Sequence, residues 1–187
     1  MGNGYPKYAA EFIKEAFPDV EFEFINQGLS GNRTDQLFDR LYMDAIAFEP
    51  DVISILIGIN DIWHRYNPAR IETTDEQIEV NYRSILTRIR NQTNAKIVMI
   101  APYMLDCDDK EQMRKDLPSV LAIERRLADE FSDVYIPLNE ILEEALKSQA
   151  APKYYSSDGV HPNENGARLI GKIYFEHVRT LLSSLAK

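Results

Sequence analysis

A carboxylate and an imidazole stand three residues apart in the stretch Tyr154–Pro162, at Asp158 and His161. Gly159 lets the backbone reverse between them, so that the carboxylate can lie beside the ring and fix its tautomer and orientation. An imidazole held in this way can act as a general base. The same spacing also fits a helix-capping Asp followed by a surface His, because Pro162 is typical of a helix start. The pattern alone leaves both interpretations open.

Two almost continuous apolar runs, 51–57 and 96–101, predict strands that are covered on both faces of a sheet. The alternating segment 20–25 and the short run 134–138 predict two more strands. One-sided apolar spacing and helix caps predict helices over 5–17, from a cap at Thr34, and over about 75–91, 118–131, 139–149 and 163–185. This alternation predicts one α/β domain over residues 1–187, a flavodoxin-like three-layer α/β/α sandwich with a parallel sheet.

In such a fold the ligand crevice lies beyond the carboxyl ends of the strands. Two loops there carry residues suited to chemistry, Gly28–Gly31 after the predicted strand 20–25 and Gly58–Asp61 after the strand 51–57. The turn that contains Asp158 and His161 precedes the last predicted helix. We therefore expect these three segments to share one edge of the sheet.

Composition narrows the function classes. The net charge of −9 argues against a nucleic-acid or anionic-membrane partner, and no apolar run is long enough to span a membrane. Cys107 is the single cysteine, which suits a reducing compartment and predicts a cytoplasmic location. With three histidines and one cysteine we expect no metal site, and no cofactor is predicted.

In this order, the segments Leu29–Thr34, Gly58–Trp63 and Asp158–Gly166 resemble the SGNH (GDSL-type) hydrolases, a family of esterases and acylhydrolases. The resemblance covers essentially the whole chain and is closest to the bacterial branch near carbohydrate acetyl esterases. It implies the SGNH hydrolase fold and cleavage of small acyl esters, acetylated carbohydrates among them, by a Ser-His-Asp mechanism.

The resemblance also implies residue roles. His161 would be the general base, and Asp158 would orient it. Gly31 would donate its backbone N–H, and Asn60 its side-chain amide, to the oxyanion of the reaction. The alternative for Gly31 is an ordinary turn glycine, and for Asn60 a helix cap.

Aromatic side chains near the predicted crevice could contact a sugar or an acyl group, although most such side chains only pack against the fold. His64 has the same Asp-x-x-His spacing after Asp61, but the family keeps its base in the later turn, so we expect a contact at the rim instead. The predicted substrate contacts are Trp63, His64 and Tyr103, with Tyr66 on the same side.

The family's first motif, a strand that ends in Gly-Asp-Ser with the nucleophile, has no counterpart among the 187 residues. We therefore expect the chain as given to hydrolyse esters very slowly or not at all, and the sheet to lack its first strand. Ser30 is a poor substitute because it adjoins Gly31 and is not in a Gly-x-Ser-x-Gly pattern. Ser156 and Ser157 are too close to His161 in sequence to approach its ring from the correct side.

Two other function classes compete with this one. A non-catalytic binding domain would retain the pocket without the nucleophile. A flavodoxin-like nucleotide binder would fit the layered fold, but no predicted strand is followed by a Gly-rich phosphate loop.

Overall fold

The computed structural model describes residues 2–68, 70–106, 110–148 and 152–186, so Cys107 lies outside the described residues. The helices and strands, in chain order, are α1 (Tyr5–Ala16), α2 (Thr34–Asp44), β1 (Val52–Leu56), α3 (Ile59–Tyr66), α4 (Asp75–Gln92), β2 (Lys96–Ile100), α5 (Glu111–Phe131), β3 (Val134–Ile136), α6 (Leu138–Ser148) and α7 (Glu164–Leu185). Short 3₁₀ turns occupy Ile46–Phe48 and Pro152–Tyr154. Among the described residues, no helix is both long and apolar enough to cross a membrane.

The chain forms two compact units. The helical unit comprises the described parts of 1–26, 104–107 and 138–187 and contains α1, α6 and α7. The sheet unit comprises the described parts of 27–103 and 108–137 and contains the three strands with α2 to α5. The single domain expected over 1–187 stays a prediction.

The strands form a parallel sheet in the order β1-β2-β3, with Val52 opposite Lys96 and Val98 opposite Val134. The central strand β2 is buried along Ile97–Ile100, as its continuous apolar run predicts. β1 lies at one edge of the described sheet, and Ser54 in its middle is exposed. The prediction that 51–57 is covered on both faces is therefore wrong, because an edge strand with one open face alternates in burial.

The core of the sheet unit is formed by apolar side chains of the strands and of the helices that pack on them. In each helix, the 3.6-residue period places these side chains on one face. The core includes Ile53 and Ile55 of β1, Ile97 and Met99 of β2, Tyr82, Ile85, Leu86 and Ile89 of α4, and Ile123 and Leu127 of α5. Fully burying one such isoleucine stabilises the fold by about 1.5–3 kcal/mol. These contacts hold α4 and α5 against the sheet.

In the helical unit, α1 and α7 approach closely at a glycine. A Cβ at Gly171 would lie 2.7 Å from Tyr8 Cβ and 2.8 Å from the backbone nitrogen of Ala9. The rings of Phe12 and Phe175 stack with their centroids 6.3 Å apart. This contact fixes α7, whose first turn follows the segment that carries Asp158 and His161.

The segment Val20–Ile25 is not a strand, so that prediction is wrong. Burial nevertheless alternates along the segment: Val20, Phe22 and Phe24 are half-buried, and the residues between them are exposed. Phe22 contacts Phe17 with centroids 6.0 Å apart, and Lys14 of α1 lies 5.6 Å from the Phe24 ring. An alternating pattern indicates a half-buried extended chain, but a strand also requires a hydrogen-bonded neighbour.

The predicted start of the helix over 118–131 is also wrong. α5 begins at Glu111, seven residues before the predicted start, and it contains Pro118 in its interior. Proline is usual in the first turn of a helix and costly in the interior, because it removes one backbone hydrogen bond. Here the buried stripe that includes Met113, Leu117 and Val120 carries the helix through the proline.

Candidate active site

Asp158 and His161 are in contact in the helical unit, with His161 Nδ1 2.7 Å from Asp158 Oδ2. The second carboxylate oxygen, Oδ1, accepts the backbone N–H of Val160 at 3.0 Å and that of His161 at 2.8 Å. Partial burial acts to raise the pKa of Asp158, but the hydrogen bonds from the His161 ring and from these two N–H groups lower it well below its usual value. The carboxylate is thus ionised at neutral pH, and Nδ1 is the nitrogen that carries the proton.

The turn that holds this pair is closed by Ser156. Its hydroxyl donates to the His161 carbonyl at 2.7 Å and accepts the N–H of Gly159 at 2.9 Å. Gly159 has a φ of 85°, which glycine adopts without strain, and its carbonyl accepts the N–H of Leu105 at 2.9 Å. Because Ser156 is fully buried in these contacts, its hydroxyl serves the turn.

A second glycine seats the turn on α7. A Cβ at Gly166 would lie 2.2 Å from the Tyr155 carbonyl oxygen, so the close approach of the two segments requires glycine there. Asn163 caps α7 by accepting the N–H of Gly166 at 3.1 Å. The ring of His161 remains accessible, since 67% of its side chain is exposed.

Acid should weaken the fold less when Asp158 is replaced by asparagine. A carboxyl whose folded pKa is depressed contributes stability that is complete above its unfolded value of about 3.9 and is lost as the pH falls below it. We expect the free energy of unfolding to fall less in Asp158→Asn than in the unmodified chain between pH 5 and pH 3, as measured by urea denaturation. Asp19→Asn, at an exposed position, is the control and should behave like the unmodified chain. If the free energy of unfolding fell equally with acid in Asp158→Asn and in the unmodified chain, the assignment would be contradicted.

The two loops proposed to bind the oxyanion are joined in the sheet unit. Asn60 Nδ2 donates to the Asn32 carbonyl at 3.1 Å. The carboxylate of Asp61 accepts the Thr34 hydroxyl at 2.7 Å and the Thr34 N–H at 3.0 Å, and both residues are fully buried. Gly31, in the same loop as Asn32, is exposed and has a φ of 82°. The structure thus brings the Gly31 loop to the start of α3, where Asn60 lies.

Thr34 was expected to cap the second helix, and this is wrong. Arg33 is the N-cap and α2 begins at Thr34, whose side chain reaches Asp61 instead. Burial acts to raise the pKa of Asp61, and the two hydrogen bonds from Thr34 oppose it. This contact joins residues 27 positions apart, and no local pattern predicts it.

Replacing Thr34 with valine should destabilise the sheet unit. Valine keeps the shape but removes the hydroxyl, which leaves the buried Asp61 with one fewer donor at a cost of about 1–3 kcal/mol. The free energy of unfolding in urea measures the loss. Thr87→Val, at an exposed position of α4, is the matched control and should change little; equal effects at the two positions would contradict the role of Thr34.

The segment Gly58–Asp61 was expected to be a loop, but all of it except Gly58 belongs to α3. Gly58 begins the helix with a φ of 109°, in the left-handed region that favours glycine. Arg65 holds its other end, with Nη1 2.8 Å from Asp116 Oδ2 and Nη2 2.6 Å from Asp75 Oδ1. Asn60 and Trp63 are therefore carried by a helix that is anchored at both ends.

The predicted substrate contacts differ in exposure. Trp63 is half-buried, and Lys110 Nζ lies 5.0 Å from the centre of its ring. His64 is half-buried, and its Nδ1 has no hydrogen-bond partner among the described residues. Tyr103 is only 5% exposed, and its role as a substrate contact stays a prediction. Within the described ranges, no group of three or more His, Cys, Asp or Glu side chains could hold a metal ion.

Residues 1–169 match the model of the GDSL-like Lipase/Acylhydrolase family. An acetylxylan esterase from Geobacillus stearothermophilus is 24% identical over 181 residues, which are 95% of this chain and 82% of that protein. A solved structure described as a GDSL-like lipase, from Parabacteroides merdae, superposes with a TM-score of 0.88 at 31% identity and covers 94% of this chain and 81% of its own. The structure of the Geobacillus esterase superposes with a TM-score of 0.84 at 24% identity. It covers 92% of this chain and 80% of its own. These likenesses confirm the predicted α/β fold with a parallel sheet.

Proposed function

The chain belongs to the GDSL-like lipase/acylhydrolase family, and from this premise we propose that it hydrolyses small acyl esters, with acetylated carbohydrates as the substrate class. Family and relatives support a carboxylic ester hydrolase. The observation that carries the proposal is the 2.7 Å contact between His161 Nδ1 and Asp158 Oδ2, because a carboxylate on Nδ1 orients the ring as a general base whose basic nitrogen is Nε2.

In the proposed reaction His161 Nε2 accepts the proton of a serine hydroxyl while the serine oxygen attacks the ester carbonyl. Asp158 holds the ring in the tautomer that makes this possible and stabilises the imidazolium that forms. The imidazolium then gives its proton to the departing alcohol, and water releases the acyl group from the serine by the same steps.

The negative charge on the carbonyl oxygen needs hydrogen-bond donors. The Asn60 amide has two N–H groups, and the contact with the Asn32 carbonyl uses one of them, which leaves one for the oxyanion. The exposed Gly31 would supply a backbone N–H. Loss of one such donor typically raises the barrier by about 2.7–4 kcal/mol.

The nucleophile is the part of the proposal that the 187 residues do not supply. Structures of the Geobacillus esterase described as catalytic mutants carry substitutions at a serine, an aspartate and a histidine, the last two spaced as Asp158 and His161 are here. We infer that the serine belongs to a Gly-Asp-Ser segment outside these residues, and that the chain as given has little or no activity. Trp63 and His64 are the proposed substrate contacts.

The test is release of acetate from acetylated xylo-oligosaccharides by the chain extended at its N-terminus with a strand that ends in Gly-Asp-Ser. We expect release by the extended protein and none above background by the chain as given. If the folded extended protein binds these oligosaccharides in calorimetry but releases no acetate, the non-catalytic binding domain becomes the better interpretation.

A further inference from the structure

Glu124 is a fully buried acidic residue on α5. Neither oxygen of its carboxyl group has a hydrogen-bond partner among the described residues. Buried carboxylates are ordinarily paired with a cation or held by several donors, because an isolated charge is costly to remove from water. The proposed mechanism makes no use of Glu124, so its position needs another explanation.

The carboxyl group lies directly beneath the turn that carries Asn60. A Cβ at Gly58 would lie 3.0 Å from Glu124 Oε1 and 3.3 Å from Val120 Cγ1. Gly58 is the N-cap of α3, and Asn60 is the second residue of that helix. The side chains of Glu124 and Val120 on α5 therefore pack against the Gly58–Asn60 turn, which contains the proposed oxyanion donor Asn60.

The titratable groups that face Glu124 are Asp61 from α3 and Tyr82 from α4. The carboxylate of Asp61 already accepts both the N–H and the hydroxyl of Thr34. These donors stabilise a negative charge on Asp61, and neither of them is directed at Glu124. The Tyr82 hydroxyl is buried and has no hydrogen-bond partner among the described residues. The N-terminus of α3 favours a negative charge nearby, but no described N–H of that helix donates to Glu124, so burial outweighs this effect.

We propose that Glu124 is a positioning residue for the Gly58–Asn60 turn and that it acts as an uncharged carboxylic acid. Burial raises the pKa of Glu124 well above its usual value, and the charge of Asp61 raises it further. If Glu124 lost its proton, a second carboxylate would stand against Asp61 and weaken the contacts of Asp61 with Thr34. The Gly31 loop and the start of α3 would then separate.

This assignment has a defined pH dependence. A carboxyl whose folded pKa is raised contributes stability that is complete below its unfolded value of about 4.3 and is lost as the pH rises toward the folded value. Over that window the unfolded chain releases one proton that the folded chain keeps. The ratio of folded to unfolded protein should therefore fall about tenfold per pH unit from this group alone.

The test compares the unmodified chain with Glu124→Gln, in which a neutral amide replaces the acid at the same size. In urea denaturation from pH 4 to pH 9, the ratio of folded to unfolded protein in the unmodified chain should decline relative to that of Glu124→Gln by about tenfold per pH unit, for as long as folded Glu124 keeps its proton. Asp129→Asn, at an exposed position of the same helix, should keep the profile of the unmodified chain. Parallel profiles for the unmodified chain and Glu124→Gln would overturn the proposal.

A second measurement needs no substitution. The ¹³C resonance of the Glu124 carboxyl should show the protonated form at pH 6, whereas exposed glutamates are ionised there. An ionised Glu124 at pH 6 would overturn the proposal even if the Gln variant failed to fold. Amide exchange at Ile59, Asn60 and Asp61 should accelerate at high pH beyond the intrinsic increase, and it should do so less in Glu124→Gln.

The consequence for catalysis rests on the proposed function. In the extended protein, kcat should fall at high pH with an unchanged KM, because a displaced Asn60 weakens stabilisation of the transition state. Glu124→Gln should flatten that alkaline fall. Absence of any hydrolysis would count against the function and leave the stability and NMR results to decide the role of Glu124.

Discussion

Replacing His161 with alanine is expected to lower kcat of the N-terminally extended protein by about 10⁴-fold to 10⁶-fold toward a chromogenic acetyl ester, with the fold intact. The exposed ring contributes little packing, so its loss should remove the base and little else. Asp158→Asn should lower kcat by about 10⁴-fold, because the asparagine leaves the His161 ring in the wrong tautomer. Initial rates and circular dichroism measure the two effects.

His177→Ala is the matched control. His177 is an exposed histidine of α7 whose Nδ1 lies 2.8 Å from the Ile173 carbonyl oxygen, and the proposed reaction does not use it. Its replacement should leave kcat within about twofold, in line with surface substitutions elsewhere. If His161→Ala kept more than about a tenth of the activity, the assignment of the base would fail.

Adding the strand that ends in Gly-Asp-Ser should also raise the melting temperature, by about 5–10 °C. β1 is an edge strand in the described sheet, and pairing its outer edge with the added strand adds main-chain hydrogen bonds worth about 0.5–1.5 kcal/mol each. For a chain of this length, each kcal/mol shifts the melting temperature by about 2–4 °C. Calorimetry on the extended and original chains measures the shift.

Two variants of the added segment separate stability from chemistry. Exchanging its serine for alanine should keep the higher melting temperature and abolish hydrolysis. A segment of the same composition in scrambled order should neither raise the melting temperature nor restore hydrolysis. Its apolar side chains would no longer fall on the faces of the sheet that are buried. Equal melting temperatures for the original and extended chains would contradict the pairing of the segment with β1.

Local chemistry determined most of the helices and the site turn. The apolar spacing of residues 75–91 predicted α4 to within one residue at its carboxyl end, since a helix of that length shows its period several times. The contact between Asp158 and His161 follows from a three-residue spacing across a glycine, and the structure has it. The residues that resemble the GDSL family likewise lie in short segments that can be recognised without the fold.

Tertiary structure decided what depends on distant neighbours. The alternation at 20–25 is that of a strand, but the segment pairs with no strand among the described residues and packs on α1 instead. The contact between Thr34 and Asp61 spans 27 positions, and Glu124 lies under Gly58 although its helix α5 comes only after the next strand, β2. Strand pairing, buried hydrogen bonds and the desolvation of a carboxyl group all depend on which surfaces meet. A sequence pattern records the period of one element and leaves its partner undetermined.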